Sequence, residues 1–305
     1  LPGVPGEHAA GTDIAVHFLH EALADENQHM DGRVVVIGGG NVAVDCARTA
    51  VRFGAEAVSM VCLESRDTMP ASKDEIAEAE EEHIEIHTGW GPKELLQDES
   101  GHVTAVVFKK CLRTIDPETG KFAPVYDEAE TITLPADHVV FAIGQAIEWG
   151  GLLKDTKVTF HRGNYPVADP LTYQTAEADI FVGGDVYHGP KFVIDAIEEG
   201  KCAAESLHRY VHKGASLTIG RNRRDFVMLD KENFSVNCYD HAARQTEAVD
   251  PAVEAHSFRD ARKTLTSEQV QTETARCLGC GASWVDPNKC IGCGVCTTKC
   301  AFDAI

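Results

Sequence analysis

The sequence predicts an α/β fold that closes in a small cysteine-rich module, on three observations. An apolar run, Val34 to Ile37, stops at three glycines and gives way to helical spacing and then a further apolar run. The stretch "DIFVGGD", 179–185, repeats the theme of a strand-like run ending in glycines and an acid before an amphipathic segment. Six of the eleven cysteines lie at or after position 277.

Composition narrows the classes. In 305 residues, 28 basic side chains face 48 acidic ones, a formal charge of -20, which argues against nucleic acid and against an anionic membrane surface as partners. No run of eighteen apolar residues occurs and no charged-then-apolar signal opens the sequence, so no membrane insertion and a cytoplasmic location are expected. The length suits about two domains. Cys46, Cys62, Cys111, Cys202 and Cys238 stand singly and read as small buried apolar residues, whereas the crowding at the tail favours a metal site over disulfides.

Taken in order, Val34–Ile37 is too short for a helix and reads as a buried strand. Apolar and small residues then recur at helical spacing from Val42 to Phe53, Gly54 supplies a stop, and Ala57 to Leu63 forms the next strand. In this βαβ unit Gly38, Gly40 and Ala43 fill G-x-G-x-x-G/A: a tight turn, close approach of a pyrophosphate, and close packing of helix on strand. Asn41 and Val42 open the helix, whose amides face the phosphates. The pattern is that of a Rossmann-like dinucleotide domain. Glu64 ends the second strand, 26 positions after Gly38, where a carboxylate accepts hydrogen bonds from ribose hydroxyls and repels a 2'-phosphate. That points to NAD, while Arg66 leaves a route to NADP; a solvated strand end is the structural alternative for Glu64.

"KDEIAEAEEEHIEI" predicts a charge-dense helix, its acids a solvated face without catalytic duty, running into a short strand, with His83 and His87 on the surface. Gly91 and Pro92 mark a loop. "GHVTAVVFKKCLRTID" and "ETITLPADHVVFAIG" alternate as strands around the turn "DPETG". After "DIFVGGD" comes the amphipathic helix "KFVIDAIEEGKCAAESLHRYV". Beyond His212 the pattern loosens into a linker or wrapping segment, and a short helix is predicted from Thr266 or Ser267.

The tail spaces Cys290, Cys293, Cys296 and Cys300 as C-x2-C-x2-C-x3-C, with Gly292 and Gly294 freeing the backbone to turn its amides toward sulfur. This resembles half of a bacterial two-cluster ferredoxin. Cys290, Cys293 and Cys296 are assigned to one 4Fe-4S cluster, with its fourth ligand open among Cys277, Cys280 and Cys300. A zinc site of Cys277, Cys280, Cys290 and Cys293 is the alternative, which would leave Cys296 and Cys300 without a role.

On "VIGGGNVAVDCARTAVRFGA", "MPASKDEI" and "DIFVGGDVYHGPKFVIDAIEEGKCAAESL" the chain resembles the small-subunit family of glutamate synthase, FAD/NAD(P) oxidoreductases whose NAD(P) domain is inserted into a split FAD domain. The resemblance implies FAD, held at Gly184 and Asp185 through a ribityl hydroxyl, with amides near Phe192 and Val193 toward the flavin pyrimidine edge and Gly144 and Gln145 alongside. It also implies that "LPGVPGEH" is the linker following a first FAD half that these residues lack. Where NADP-using members carry an arginine pair before "MP", this sequence has Leu63 and Glu64. In the same family a helix followed by "RCLxCG" belongs to an iron-sulfur domain at the opposite end, so "RCLGCG" marks that module here.

The expected organisation is a linker and FAD-domain remnant at 1–28, an NAD(P) domain at 29–133, the C-terminal half of the FAD domain at 134–212, a linker at 213–264 and an iron-sulfur module at 265–305. The implied activity is NADH-linked transfer of electrons among NAD(H), FAD and 4Fe-4S clusters, in a glutamate-synthase-like or electron-bifurcating complex. Its expected partners are other subunits or a ferredoxin-like one-electron carrier. The rival class is a non-catalytic adaptor with a structural nucleotide fold and a zinc-loaded tail, which visible absorption would distinguish.

Overall fold

The computed structural model describes residues 1–25, 28–212, 214–221, 240, 242–250, 257–258, 262–277 and 285–300. They form two compact units. One holds Leu1–Phe141 with the described residues from 240 onward, and the other holds the described residues from 142 to 221.

The first unit is built on a parallel sheet. Its strands are β1 (Thr12–Ile14), β2 (Arg33–Ile37), β3 (Ala57–Cys62), β4 (Glu85–Thr88) and β8 (His138–Phe141), in the order β1-β8-β2-β3-β4. Every pairing is parallel, with Val36 opposite Met60 and Val140. A parallel sheet is covered on both faces, which explains why β2 is apolar without alternation: Val34, Val35, Val36 and Ile37 are all buried. The covering helices are α1 (Ala15–Ala24), α2 (Asn41–Arg52) and α3 (Lys73–Glu81). Ala43, Ala47 and Ala50 on α2 are wholly buried, and their small side chains let the helix lie close on the sheet.

Three antiparallel strands follow, β5 (Trp90–Gln97), β6 (Val103–Ile115) and β7 (Phe122–Pro135). Leu95, Val106 and Phe108 pack in one core with Val35, Val61, Val139 and Phe141 of the parallel sheet. Each such side chain contributes about 1.5–3 kcal/mol when fully buried.

Here the structure departs from the sequence reading. The second hairpin strand starts at Phe122 and ends at Pro135, and "HVVF" is a separate strand that joins the parallel sheet. Asp137 makes that break, because its carboxylate accepts hydrogen bonds from the Arg33 backbone and Nε at 2.8 and 2.9 Å and ties the chain to the start of β2. The expected boundary at 133/134 therefore falls inside β7, and the compact unit runs on through Phe141. Gly91 and Pro92 lie within β5, not in a loop; Pro92 stands opposite Phe108, on a strand at the edge of its sheet, where proline is tolerated, and the register shifts beside it. His83 is exposed as expected, but His87 sits half-buried on β4.

The second unit is mostly irregular. "DIFVGGD" forms no extended strand: Phe181 makes a single bridge with Gln174, since the described residues offer it no longer ladder. The turn helix α4 (Asp185–His188) and the long α5 (Val193–Val211) follow. Only Glu199 and Ser206 of α5 are buried, while Phe192, Val193 and Ile194 at its start stand open.

In the tail, α6 (Ser267–Ala275) begins where the sequence predicts. Thr266 caps it by accepting the Gln269 amide at 3.3 Å, and Gln269 returns the bond to the Thr266 amide at 2.8 Å. Before it, Phe258 packs against the Phe53 ring and Arg262 pairs with Glu78 at 2.6 Å. A short α7 (Val295–Lys299) follows the glycines of the cysteine run. Among the described residues no helix is long and apolar enough to cross a membrane.

Candidate functional site

The glycine turn sits at the carboxyl end of β2, between that strand and α2. The Gly38 amide donates to the Val61 carbonyl at 2.9 Å, so the turn leaves β2 while still bonded to β3. A side chain at Gly39 would lie 2.8 Å from Cys62 Cβ and 3.1 Å from Glu64 Oε2. That crowding requires glycine, and it also places the Glu64 carboxylate directly against the turn. Gly40, in extended conformation, caps α2 with open space where a side chain would be, so backbone amides there can be approached closely. Ala43 is wholly buried behind it, and Val42 is about half exposed.

Two bonds brace this turn that the sequence reading missed. The Asn41 Oδ1 accepts the Ser72 amide at 2.9 Å, and the Gly39 carbonyl accepts the Ala71 amide at 3.0 Å. "MPAS" is therefore a brace for the glycine turn. Its signal in the sequence was the polar Asn at the helix start facing a Ser that begins α3. Arg66 lies in a single 3-10 turn, Arg66–Thr68, and its guanidinium pairs with Glu80 of α3 at 2.7 Å. Beneath the turn, burial first and the Glu64 carboxylate second push the Cys62 thiol up to about 12, so it stays protonated and unreactive.

In the second unit, Gly184 adopts φ 73°, ψ -157°, a conformation open to glycine, and so turns the chain into α4 with Asp185 exposed at its first position. Glu199, 5% exposed, locks this turn from beneath: its Oε2 accepts the Gly184 amide at 2.6 Å and its Oε1 bonds His188 Nδ1. Gly183 packs against the same side chain, where an added Cβ would be 3.2 Å from Glu199 Cβ. Phe192 caps α5, its amide donating to Asp195 at 3.2 Å. Gly144, at φ 100°, and Gln145 are exposed. An exposed acid on a glycine turn beside an open apolar helix start suits a ligand with a hydroxylated chain and a flat ring, and a flavin has both parts.

The cysteine run carries the two glycine turns that its spacing asks for, Gly292 at φ 68° and Gly294 at φ 70°. The Gly292 amide donates to Cys290 Sγ at 3.4 Å, and Cys290, Cys293 and Cys296 are exposed. Amides turned to sulfur suit thiolate ligands of an iron-sulfur cluster. Among the described residues no three metal-binding side chains converge on one point. Cys277 follows α6, Cys300 follows α7, and Cys280 lies outside the described residues. The structure thus gathers Gly38 to Ala43 with Glu64 in one unit and Gly144, Gln145, Gly184, Asp185, Phe192 and Val193 in the other.

Residues 1–200 match the family described as pyridine nucleotide-disulphide oxidoreductase, and residues 283–305 match the 4Fe-4S binding domain. The NADP(+)-dependent formate dehydrogenase subunit beta of Moorella thermoacetica is 32% identical over 91% of this chain and 40% of its own length. The glutamate synthase [NADPH] small chain of Escherichia coli is 34% identical over 68% of this chain and 47% of its own. The NADPH-Fe(3+) oxidoreductase subunit beta of Geobacter sulfurreducens is 28% identical over 87% and 44% respectively. The chain thus spans less than half the length of these relatives. Among solved structures, thioredoxin reductase of T. acidophilum superposes with a TM-score of 0.52 at 21% identity, covering 69% of this chain and 61% of that one, a likeness of fold.

Proposed function

The chain belongs to the pyridine nucleotide-disulphide oxidoreductase family and carries a 4Fe-4S segment over residues 283–305, and on that premise we propose that it serves an NADH-linked flavin and iron-sulfur oxidoreductase. The carrying observation is the Glu64 carboxylate lying against the glycine turn. Gly38 and Gly40 admit the pyrophosphate to the backbone, the α2 amides stabilise its charge, and Glu64 accepts the adenosine ribose hydroxyls. Asp185 and the start of α5 at Phe192 and Val193 hold FAD, with Gly144 and Gln145 alongside, and the tail cysteines hold a 4Fe-4S cluster. When bound, these groups supply hydride transfer, its conversion to single electrons, and single-electron relay. The residues of the chain supply position, charge and exclusion of a phosphate at the 2' position. The partners are other subunits of an oxidoreductase complex or a one-electron carrier, as the subunit names of the relatives support.

A second reading takes NADPH, supported by the names of those relatives and by Arg66 beside Glu64. Steady-state kinetics of the full-length protein separates the two. The carboxylate reading expects kcat/KM for NADH at least about tenfold above that for NADPH, and Glu64→Arg to narrow the gap, since one repulsion lost and one phosphate partner gained are worth roughly 1–3 kcal/mol. Equal use of both nucleotides by the wild type overturns it.

A further inference from the structure

We propose that Glu80 is a specificity-determining residue of the nucleotide site: it draws the Arg66 guanidinium down α3 and so withholds from a dinucleotide 2'-phosphate the cation nearest to Glu64 in sequence. The inference rests on the reading of Gly38 to Glu64 as a dinucleotide site.

Three observations carry it. The backbone around Arg66 is held: the Ser65 amide donates to Thr68 Oγ1 at 3.2 Å and the Ser65 and Thr68 hydroxyls are 2.9 Å apart, which fixes the turn directly after Glu64. The direction of the guanidinium is set by its one exposed ion pair. Second, the N-terminal end of α3 is tied to the glycine turn, through the Ser72 amide on Asn41 and the Ala71 amide on the Gly39 carbonyl. Glu80 lies near the opposite end of that helix, seven residues beyond Lys73 and so roughly 10 Å further along the axis. The 2.7 Å pair therefore commits the guanidinium to the end of α3 opposite that tie. Third, the pair is 42% and 52% exposed, and exposed pairs hold by a factor of only about 1.5 to 5. A phosphate dianion, able to take the guanidinium through two charge-assisted hydrogen bonds, competes with a single exposed carboxylate. Glu80 acts as a weak competitor for Arg66, setting how much of the intrinsic affinity for a 2'-phosphate is realised.

The test is a double-mutant cycle on the full-length protein with NADH and NADPH as the probes. Glu80→Gln, which keeps helix propensity and length, is expected to shift the NADPH:NADH ratio of kcat/KM about 2- to 5-fold toward NADPH, chiefly through KM. In an Arg66→Ala background the same substitution is expected to shift nothing. An unchanged ratio in Glu80→Gln, or a shift that persists without Arg66, overturns the proposal. Failure of the NADH preference reads out separately, in the wild-type ratio. Should neither nucleotide bind the wild type, both the site and the proposal fall.

Discussion

At the residue scale, the placement of the glycine turn and of Glu64 beside it was legible because both are local: the spacing from Gly38 to Ala43 and the strand-end acid are consecutive pattern. Glu199 was hidden, since nothing in "DAIEEGKCAAES" tells which glutamate turns inward to the Gly184 turn. Its buried carboxylate holds both Gly184 and His188. Glu199→Ala is expected to cost about 1–3 kcal/mol, the penalty for leaving buried partners unmet, and to lower the flavin content of the purified full-length protein by disturbing Asp185. Glu199→Gln, which can still accept the Gly184 amide, should be milder. Thermal melts and visible spectra of the two variants check this, and equal loss in both would contradict it. Asp137 offers a pH test. The Arg33 side chain and backbone amide hold its carboxyl down at about 2, below its unfolded value near 3.9. Its stabilising effect is therefore present above pH 4 and is lost as pH falls toward 2. Asp137→Asn is expected to unfold earlier than wild type at neutral pH, with the difference vanishing near pH 2.

At the scale of elements, the parallel strands and α2 were readable from apolar runs and helical spacing. The hairpin was only half readable, because β7 opens with "FAPVYDEAE", whose proline and acids carry no alternation, and the bend at Asp137 is set by Arg33 far away in sequence. Pro92 read as a loop because a proline excludes only a central strand, and edge position is a tertiary fact. The acids of the α3 stretch read as a solvated face, yet Glu82, which caps α3, has a side chain only 2% exposed and binds Arg48 Nε at 2.7 Å and Arg52 at 3.2 Å, fastening α3 to α2. Arg48 also meets Glu78 at 2.5 Å. Glu82→Ala is expected to destabilise the first unit by on the order of 3 kcal/mol, seen as a lower urea midpoint with an unchanged slope. A shift within about 0.5 kcal/mol would return these acids to the surface role.

At the scale of the whole molecule, the sequence made legible a βαβ unit with a glycine turn, a second glycine-acid turn and a cysteine tail, but it did not reveal the contacts of Phe258 with Phe53 and of Arg262 with Glu78. One tilted aromatic contact and one ion pair leave no periodic trace. With a formal charge of -20, a protein partner is expected to meet the chain through a basic face, so the association rate should fall steeply as salt rises toward 0.15 M and beyond. Passage of electrons between nucleotide and partner by way of the cysteine run is tested most directly by stopped-flow reduction of full-length Cys293→Ser alongside wild type, with iron and sulfide determined on the same samples. NADH is expected still to bleach the flavin band while iron content falls and reduction of the one-electron partner collapses. Full iron content with wild-type partner reduction in Cys293→Ser would contradict it.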